Sequence, residues 1–209
     1  QILSLGIDKR KTMFVDLLVD LFQPKGIYER SDVGVRLKEG LPETKGVLYG
    51  VVPDLVRASE AGVLMDVDVK NGQKTGSFLD QQENHAAIAP YAKGKDVLDC
   101  FSHTGGFGLA AAKAGAKSVT CVDLSQTACD RIASNAALNG FANVSVVKAD
   151  VFQLLRQDHA EGKSYDLVVL DPPAFTKNAE NLAAAYAGYK EINIQGLKLV
   201  RHGGYLLTC

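Results

Sequence analysis

The sequence lacks an excess of charge of either sign. Its 209 residues carry 23 Lys and Arg against 24 Asp and Glu, which gives a formal net charge of −1. The chain as a whole therefore produces no field that would attract nucleic acid or an anionic membrane. Any binding of RNA has to depend on specific residues, or on parts of the protein that lie outside this sequence.

Long apolar runs and metal-binding cysteine motifs are also missing. No run approaches the ~18 apolar residues that a membrane helix needs, and no basic segment with an apolar leader opens the chain. The 4 cysteines form no Cys-x-x-Cys pair and have no histidine at metal-ligand spacing, so no metal is expected. Cys100 and Cys121 lie in predicted core strands, where we expect buried, reduced thiols of a cytoplasmic protein.

What is present is an ordinary globular composition, 46% hydrophobic and 22% charged. The pattern changes near residue 80. We predict a small α+β domain over residues 1–70, a connecting segment over 71–83 and a second domain over 84–209. In the first domain we expect a strand at 1–6, a helix over 9–22 capped by Asp8, a strand at 26–30 and a hairpin around Ala61-Gly62.

The second domain alternates strands of β-branched and aliphatic residues with helical stretches. This alternation predicts a Rossmann-like α/β fold with a mostly parallel, doubly wound sheet. The sequence ends on the fifth predicted strand, so we expect the last strands of the sheet to lie beyond it. The predicted strands cover residues 96–101, 118–123, 143–150, 165–171 and 203–209.

Ligands of such sheets bind at the carboxyl ends of the strands. The first strand ends at Asp99, and a glycine-rich loop follows it. Gly106-x-Gly108-x-x-Ala111 matches the dinucleotide fingerprint in form, but the five residues 101 to 105 precede its first glycine, where the fingerprint starts directly after the strand. The longer loop suits a ligand with an amino-acid tail. A simple glycine-rich turn is the alternative.

Acids end the second and third strands. Asp123 offers two acceptor oxygens that match a ribose diol, or it serves the helix that begins at Ser125. Asp150 can accept from an adenine amine while its apolar neighbour Val151 covers the ring. Capping of the following helix is an equally good role for Asp150.

The fourth strand ends in Asp171-Pro172-Pro173-Ala174-Phe175. Two prolines stiffen the loop, and an aromatic side chain after them suits the stacking of a planar base. Asp171 can accept from a ring amine or stabilise a protonated ring nitrogen. A proline-terminated strand with a core Phe175 is the alternative. Three acids and a glycine-rich loop at successive strand ends together indicate S-adenosylmethionine in a class I methyltransferase.

Longer motifs narrow this interpretation. Asp99-x-Phe101-x-x-x-Gly105-Gly106-Phe107, Asn135-x-x-x-Asn139-Gly140 and the Asp171-Pro172-Pro173-x-Phe175 loop resemble class I RNA methyltransferases. The segments 71–84 (NGQKTGSFLDQQEN) and 188–193 (GYKEIN) resemble the RlmI/YccW-type 23S ribosomal RNA cytosine-C5 methyltransferases. The resemblance covers essentially the whole chain. It implies a PUA-type RNA-binding domain before this sequence, then the small central domain, then the catalytic domain.

The resemblance also implies roles for individual residues. Asp99 and the loop after it would approach the methionine part of the cofactor, Asp123 the ribose and Asp150 the adenine. The expected cofactor-binding residues are Lys74, Thr75, Phe78, Gln81, Asn84, Asp99, Phe101, Thr104, Gly105, Gly106, Phe107, Asp123, Leu124, Ser125, Asp150, Val151, Asp171 and Pro172. Pro173, Phe175, Tyr189, Lys190 and Asn193 are expected on the substrate side, where the last three contact RNA or support the site.

Methylation at cytosine C5 needs a nucleophile, because C5 becomes reactive only after a thiolate adds to C6. Asp171 suits the acid that holds N3. Ala174 stands where many such enzymes have a cysteine, so Cys209 at the end of the fifth strand is the candidate. It is the nucleophile itself, or the neighbour of one just beyond it, or a residue of the strand core.

Two other functions stay open from the sequence. An amino- or ring-nitrogen methyltransferase acting on guanine or adenine would use the same Asp-Pro-Pro-aromatic loop without a thiol. An NAD-binding or non-catalytic nucleotide-binding module would use the glycine fingerprint. The expected partner is ribosomal RNA of the 23S type. A homodimer is a further expectation, and no membrane partner is expected.

Overall fold

The structure is a computed structural model that describes residues 1–73, 75–176 and 181–209. Contacts divide the chain into two compact units. The first comprises Gln1–Arg57 and Val67–Phe78, and the second comprises Ala58–Asp66 and Leu79–Cys209. Within the described ranges, no helix is both long enough and apolar enough to cross a membrane. The domain boundaries at residues 70 and 84 stay a prediction.

The first unit is small and mixes helices with antiparallel strands, as predicted. Strands β1 and β2 pair in antiparallel fashion, with a register shift between Ile27 and Tyr28. Strands β3 and β4 form a separate two-stranded sheet, most of which belongs to the second unit, and they turn at Ala61 and Gly62, which have φ angles of 48° and 78°. The elements up to that hairpin are α1 (Leu5–Asp8), α2 (Lys11–Phe22), β1 (Gly26–Ser31), a 3-10 helix (Gly34–Glu39), β2 (Thr44–Gly50), β3 (Val56–Glu60) and β4 (Val63–Val67).

Two expectations for the first residues are wrong. The predicted strand at 1–6 is instead irregular before α1, and Asp8 caps no helix because its carboxylate is used elsewhere. The Asp8 carboxylate accepts from the guanidinium of Arg36 at 3.0 Å and lies 3.3 Å from the ammonium of Lys11. Arg36 is only 1% exposed. A buried guanidinium needs a charged partner, and this requirement outweighs the modest gain from a helix cap.

The second unit contains the predicted parallel sheet, which confirms the Rossmann-like fold. Its strands lie in the order β7-β6-β5-β8-β9, and every neighbouring pair is parallel. The elements are a 3-10 turn (Leu79–Gln81), α3 (Gln82–Ala87), α4 (Ala89–Ala92), β5 (Asp96–Cys100), α5 (Gly106–Lys113), β6 (Ser118–Asp123), α6 (Gln126–Leu138), β7 (Val144–Lys148), α7 (Val151–Ala160), β8 (Tyr165–Leu170), α8 (Leu182–Leu199) and β9 (Val200–Thr208).

The core lies on both faces of this sheet. Successive residues of a strand point to opposite faces, and accordingly Val97 packs in one buried cluster with Phe107 while Leu98 packs in another with Ile192. Cys100, Cys121 and Cys129 are buried and free. Burial of both faces explains why the strands read as continuous apolar runs rather than alternating ones.

Candidate functional site

The sheet order places the candidate site. The chain runs from β5 outward to β6 and β7, then returns to β8 on the other side of β5. The carboxyl ends of β5 and β8 therefore form the point where strand order reverses, which is where open α/β sheets bind ligands. The residues that follow these two strands, Asp99 to Gly106 and Asp171 to Phe175, flank that point.

The loop after β5 has an unusual backbone. Phe101, His103 and Gly105 have φ angles of 62°, 51° and 90°. Left-handed conformations cost free energy for residues other than glycine and concentrate at functional sites. The buried Ser102 holds this conformation, because its hydroxyl donates to the Asp99 carbonyl at 2.7 Å and accepts from the Val122 N–H at 3.0 Å.

Asp99 lies at the base of this loop and is 1% exposed. Its Oδ2 accepts from the N–H of Gly108 at 2.9 Å. Its Oδ1 is buried and has no hydrogen-bond partner in the part of the chain that the structure describes. Burial raises the pKa of the Asp99 carboxyl to about 7. A buried acceptor without a partner is costly, and a ligand that brings a donor or a positive charge would satisfy it.

Asp123, at the end of β6, connects the loop after β5 to the start of α6. One carboxylate oxygen accepts from the N–H of His103 and the other from the N–H of Ser125, both at 2.9 Å. Ser125, and not Asp123, caps α6 through the N–H of Ala128 at 3.3 Å. Each carboxylate oxygen has a second lone pair, so Asp123 can still accept from the two hydroxyls of a ribose. Its neighbour Leu124 is exposed.

Asp150, at the end of β7, is the N-cap of α7. Its Oδ1 accepts from the N–H of Gln153 at 3.0 Å, and Val151 beside it is buried. The structure therefore establishes the capping role, and a contact with adenine stays a prediction.

Asp171, at the end of β8, is reached from the segment before β5. The side-chain amide of Gln81 lies 3.4 Å from Oδ1 of Asp171, and the amide of Asn84 donates to Gln81 at 2.5 Å. This brings two of the residues predicted to cover the cofactor to the same edge as Asp171.

Thr75 and Phe78 belong to the first unit, where Thr75 lines a cavity of about 280 Å³ with Tyr28 and Arg30. Lys74 lies outside the described residues.

Phe175 packs against helix α8. Its ring centroid lies 4.4 Å from that of Tyr189 and 5.7 Å from that of Phe152. Its N–H also donates to the Tyr189 hydroxyl at 3.3 Å. In this arrangement Phe175 stiffens the loop by packing, while Pro173 and Ala174 before it are exposed. The amide of Asn193 donates to the carbonyl of Tyr189 at 2.9 Å, and Lys190 is exposed.

Cys209 follows β9 directly and lies at the same edge. Its N–H donates to the carbonyl of Leu170 at 3.1 Å, which places it beside the end of β8. Burial raises the pKa of the Cys209 thiol, and the neighbouring carboxylates of Asp171 and Asp99 raise it further. The thiol is therefore protonated in this state of the protein.

Sequence reasoning missed residues that act through long-range contacts. Ser102 looked like an ordinary loop residue, and the motif asparagines had no assigned contact. In the structure, Asn135 accepts from the N–H of Asp66 at 2.9 Å, and its amide lies 3.5 Å from the carbonyl of Thr104. The only available signal was the Asn-x-x-x-Asn spacing, which puts both side chains on one face of α6.

The fold is Rossmann-like and carries acids at the carboxyl ends of its strands, and comparison with known proteins identifies its class. The profile of the S-adenosylmethionine-dependent methyltransferases matches residues 48–209. The chain belongs to this family, and S-adenosylmethionine is its cofactor. The unpartnered acceptor of Asp99 and the acceptor oxygens of Asp123 fit a positively charged ligand that carries a ribose.

Individual relatives are similar over the whole chain. It is 48% identical to "Ribosomal RNA large subunit methyltransferase I" of Aeromonas hydrophila subsp. hydrophila and 47% identical to the protein of that name from Aeromonas salmonicida, covering 100% of this chain and 53% of each relative. The chain thus spans about half the length of these curated relatives. Among solved structures, "SMU.776, a putative methyltransferase complexed with SAH" superimposes with a TM-score of 0.79 at 27% identity, over 97% of this chain and 52% of that one.

Proposed function

We propose that the chain is the catalytic part of an enzyme that methylates C5 of a cytosine in large-subunit ribosomal RNA. The names of the relatives support the ribosomal substrate. The observation that supports C5 chemistry is the position of Cys209, whose N–H donates to Leu170 just before Asp171. A thiol and a carboxyl group at neighbouring strand ends are the two groups that this reaction requires of the protein.

The cofactor, when bound, supplies a methyl group that its sulfonium already activates. The protein then has to hold cofactor and base in line. We propose that Asp99 and the loop from Phe101 to Phe107 hold the methionine part, Asp123 the ribose and Asp150 the adenine. Gln81, Asn84 and Pro172 would complete the cofactor side, with Lys74, Thr75 and Phe78 as further predicted contacts.

On the substrate side, Asp171 would hold the N3 edge of cytosine while the Cys209 sulfur adds to C6. In the free protein the pKa of Cys209 is raised by burial, with a contribution from Asp171. The thiol proton would pass to N3, beside the Asp171 carboxylate, as the sulfur adds to C6; after methyl transfer the C5 proton would leave to solvent, and the sulfur would be eliminated with return of its proton. The nucleophile would then form only when a base is bound. We place Pro173, Phe175, Tyr189, Lys190 and Asn193 around this base as contacts or supports.

The raised pKa of Cys209 also favours a second candidate function. A methyltransferase that acts on an amino or ring nitrogen of guanine or adenine needs no thiolate. Asp171 would accept from the exocyclic amine of such a base. The two candidates therefore share a cofactor and differ in the atom that is methylated.

The test combines one variant with identification of the product. Large-subunit ribosomal RNA is incubated with the protein and S-adenosylmethionine, then digested and analysed as nucleosides by mass spectrometry. We expect 5-methylcytidine from the wild type and none from Cys209→Ala, while both bind S-adenosylhomocysteine equally well in calorimetry. Full 5-methylcytidine production by Cys209→Ala would exclude this thiol as nucleophile, and methylated guanine or adenine would establish the second candidate.

Two further proposals accompany the ribosomal substrate. Such a substrate would place the protein in the cytoplasm. We also propose a homodimer, which sedimentation equilibrium of the purified protein would test.

A further inference from the structure

The side chain of His85, from outside the parallel sheet, contacts the segment Thr104–Phe107, here called the cofactor loop, and the side chain of Glu60 contacts His85. Glu60 ends strand β3, and His85 lies on α3. The carboxylate of Glu60 contacts Nδ1 of His85, and these side chains are only 14% and 12% exposed. On its other side the His85 ring lies edge-on against Phe107, with 4.5 Å between the ring centroids and 83° between the planes.

The His85 ring also occupies the space beside Gly106. A Cβ atom at position 106 would lie 2.2 Å from Cε1 of His85, which no real side chain tolerates. Glycine is therefore required there while the ring stays in place. Because the ring is in contact with Glu60 on one side and with the cofactor loop on the other, a displacement of the pair would displace the loop backbone.

The helix that carries His85 also reaches the end of β8. Asn84, the residue before His85, donates to Gln81, whose amide in turn lies 3.4 Å from Asp171. The short segment from Leu79 to Ala87 thus contacts both loops that flank the reversal point of the sheet. The position of this segment therefore affects both the cofactor loop and the loop after β8.

We propose that Glu60 and His85 are a positioning pair that holds the cofactor loop in its binding conformation. Neither residue needs to touch the cofactor, because the pair acts through Gly106 and Phe107. Ser102 holds the left-handed backbone of Phe101 and His103 just before this loop, and the pair supports the residues that follow, at Gly106 and Phe107. The proposal rests on the cofactor assignment and does not depend on which base is methylated.

The same hairpin has a second attachment that provides a matched control. At the C-terminal end of α6, the amide of Asn139 donates to the carbonyl of Leu64 at 2.7 Å, and its Oδ1 accepts from the N–H of Leu64 at 2.9 Å. This attachment fixes strand β4. The Asn139 amide also donates to the Asn135 carbonyl at 2.7 Å, and Asn139 itself forms none of the described hydrogen bonds to residues 104–107. Asn139→Ala should therefore loosen the hairpin without disturbing residues 104–107.

The experiment compares Glu60→Ala, Glu60→Gln, His85→Ala and Asn139→Ala in the complete chain. S-adenosylhomocysteine affinity is measured by calorimetry, and stability by thermal unfolding. We expect Glu60→Ala and His85→Ala to bind about tenfold more weakly, as loss of a charged hydrogen bond implies. Glu60→Gln, which keeps the shape and an acceptor, should stay within about threefold. Asn139→Ala should lose stability and keep wild-type affinity.

Either of two results would overturn the proposal. One is unchanged affinity in Glu60→Ala and His85→Ala; the other is an equal loss in Asn139→Ala, which would mean that the hairpin acts only through stability. If the alanine variants do not fold, Gly106→Ala tests the contact from the loop side. We expect it to weaken binding when His85 is present but to weaken it no further in a His85→Gly chain, where the ring is absent; an equal loss with and without His85 would also overturn the proposal.

This outcome is separate from that of the proposed function. A wild-type protein that binds S-adenosylhomocysteine but forms no 5-methylcytidine would contradict C5 methylation and leave the positioning pair testable.

Discussion

At the scale of single residues, Asp99 couples the site to pH. Its pKa of about 7 means that the folded protein holds a proton that the unfolded chain, with an ordinary pKa of 3.8, has already released. Between about pH 4 and pH 7 the folded state therefore binds more protons, and stability falls as pH rises. The difference between the two pKa values corresponds to a loss of roughly 4 kcal/mol above pH 7, as an upper limit.

The first prediction follows for Asp99→Asn. The variant cannot titrate at this position, so urea unfolding between pH 4.5 and 8 should show a smaller decrease in stability with pH than the wild type. The two proteins are compared by the slope of the unfolding free energy against pH. The absolute values would mislead, because the amide introduced at position 99 leaves a buried donor unpaired, which costs about 1–3 kcal/mol at every pH. Parallel pH profiles for the two proteins would show that Asp99 is ionised throughout this range.

Asp150 allows the second prediction, since capping and cofactor binding make different demands on it. Asp150→Ser keeps a side-chain oxygen for the N–H of Gln153, and serine is as good an N-cap as aspartate. Thermal stability should therefore change little, while S-adenosylmethionine affinity should fall several-fold because the shorter side chain no longer reaches the adenine. Asp150→Ala, as a control, should lose about 1 kcal/mol of stability as well. Unchanged affinity in both variants would leave Asp150 as a cap alone.

At the scale of elements, helix α8 fixes the loop after β8. Tyr189 makes two contacts with Phe175, through ring packing at 4.4 Å and through its hydroxyl. The loop therefore gains rigidity from α8 in addition to its prolines. A base that approaches Asp171 would meet a surface that is already in place.

The third prediction is that Tyr189→Phe reduces methyl transfer more than it reduces stability. Removing the hydroxyl leaves the Phe175 N–H without this acceptor and should cost about 1 kcal/mol. The rate should fall several-fold because the loop is less well positioned. Tyr186→Phe is the matched control on the same helix, since Tyr186 is 70% exposed. Equal rates for the two variants, measured by transfer of labelled methyl groups to RNA, would refute the role of Tyr189.

The elements also show what the sequence could predict. Strands β5, β6 and β8 were predictable because they are largely buried, so each appears as a mainly apolar run; the edge strand β7 was predictable from its β-branched residues. The start of β9 was not predictable from the sequence. Val200 pairs with Tyr165 before a register shift, and this pairing depends on the neighbouring strand β8. The first residues were mispredicted because the Asp8 carboxylate pairs with the buried guanidinium of Arg36 and therefore does not cap a helix. Contacts such as that between Glu60 and His85 join distant positions, which leave no periodic signal.

At the scale of the whole molecule, the cofactor should stabilise the fold. A ligand that binds only the folded state contributes about 2.7 kcal/mol at 100 times its Kd. For a chain of this size, that stabilisation raises Tm by roughly 5–10 °C. The fourth prediction is therefore a rise of this size with S-adenosylhomocysteine and none with NAD at the same concentration, measured by scanning fluorimetry. A comparable rise with NAD would contradict the specificity expected of the glycine-rich loop.

The protonation state of Asp99 should also affect the enthalpy of cofactor binding. A carboxyl group with a pKa of about 7 is half protonated in a neutral solution. When a positively charged sulfonium binds nearby, it favours the carboxylate, and about half a proton should pass to the buffer. The binding enthalpy measured in Tris should therefore differ from that in phosphate, because the two buffers take up a proton with different enthalpies. In Asp99→Asn the enthalpies in the two buffers should agree.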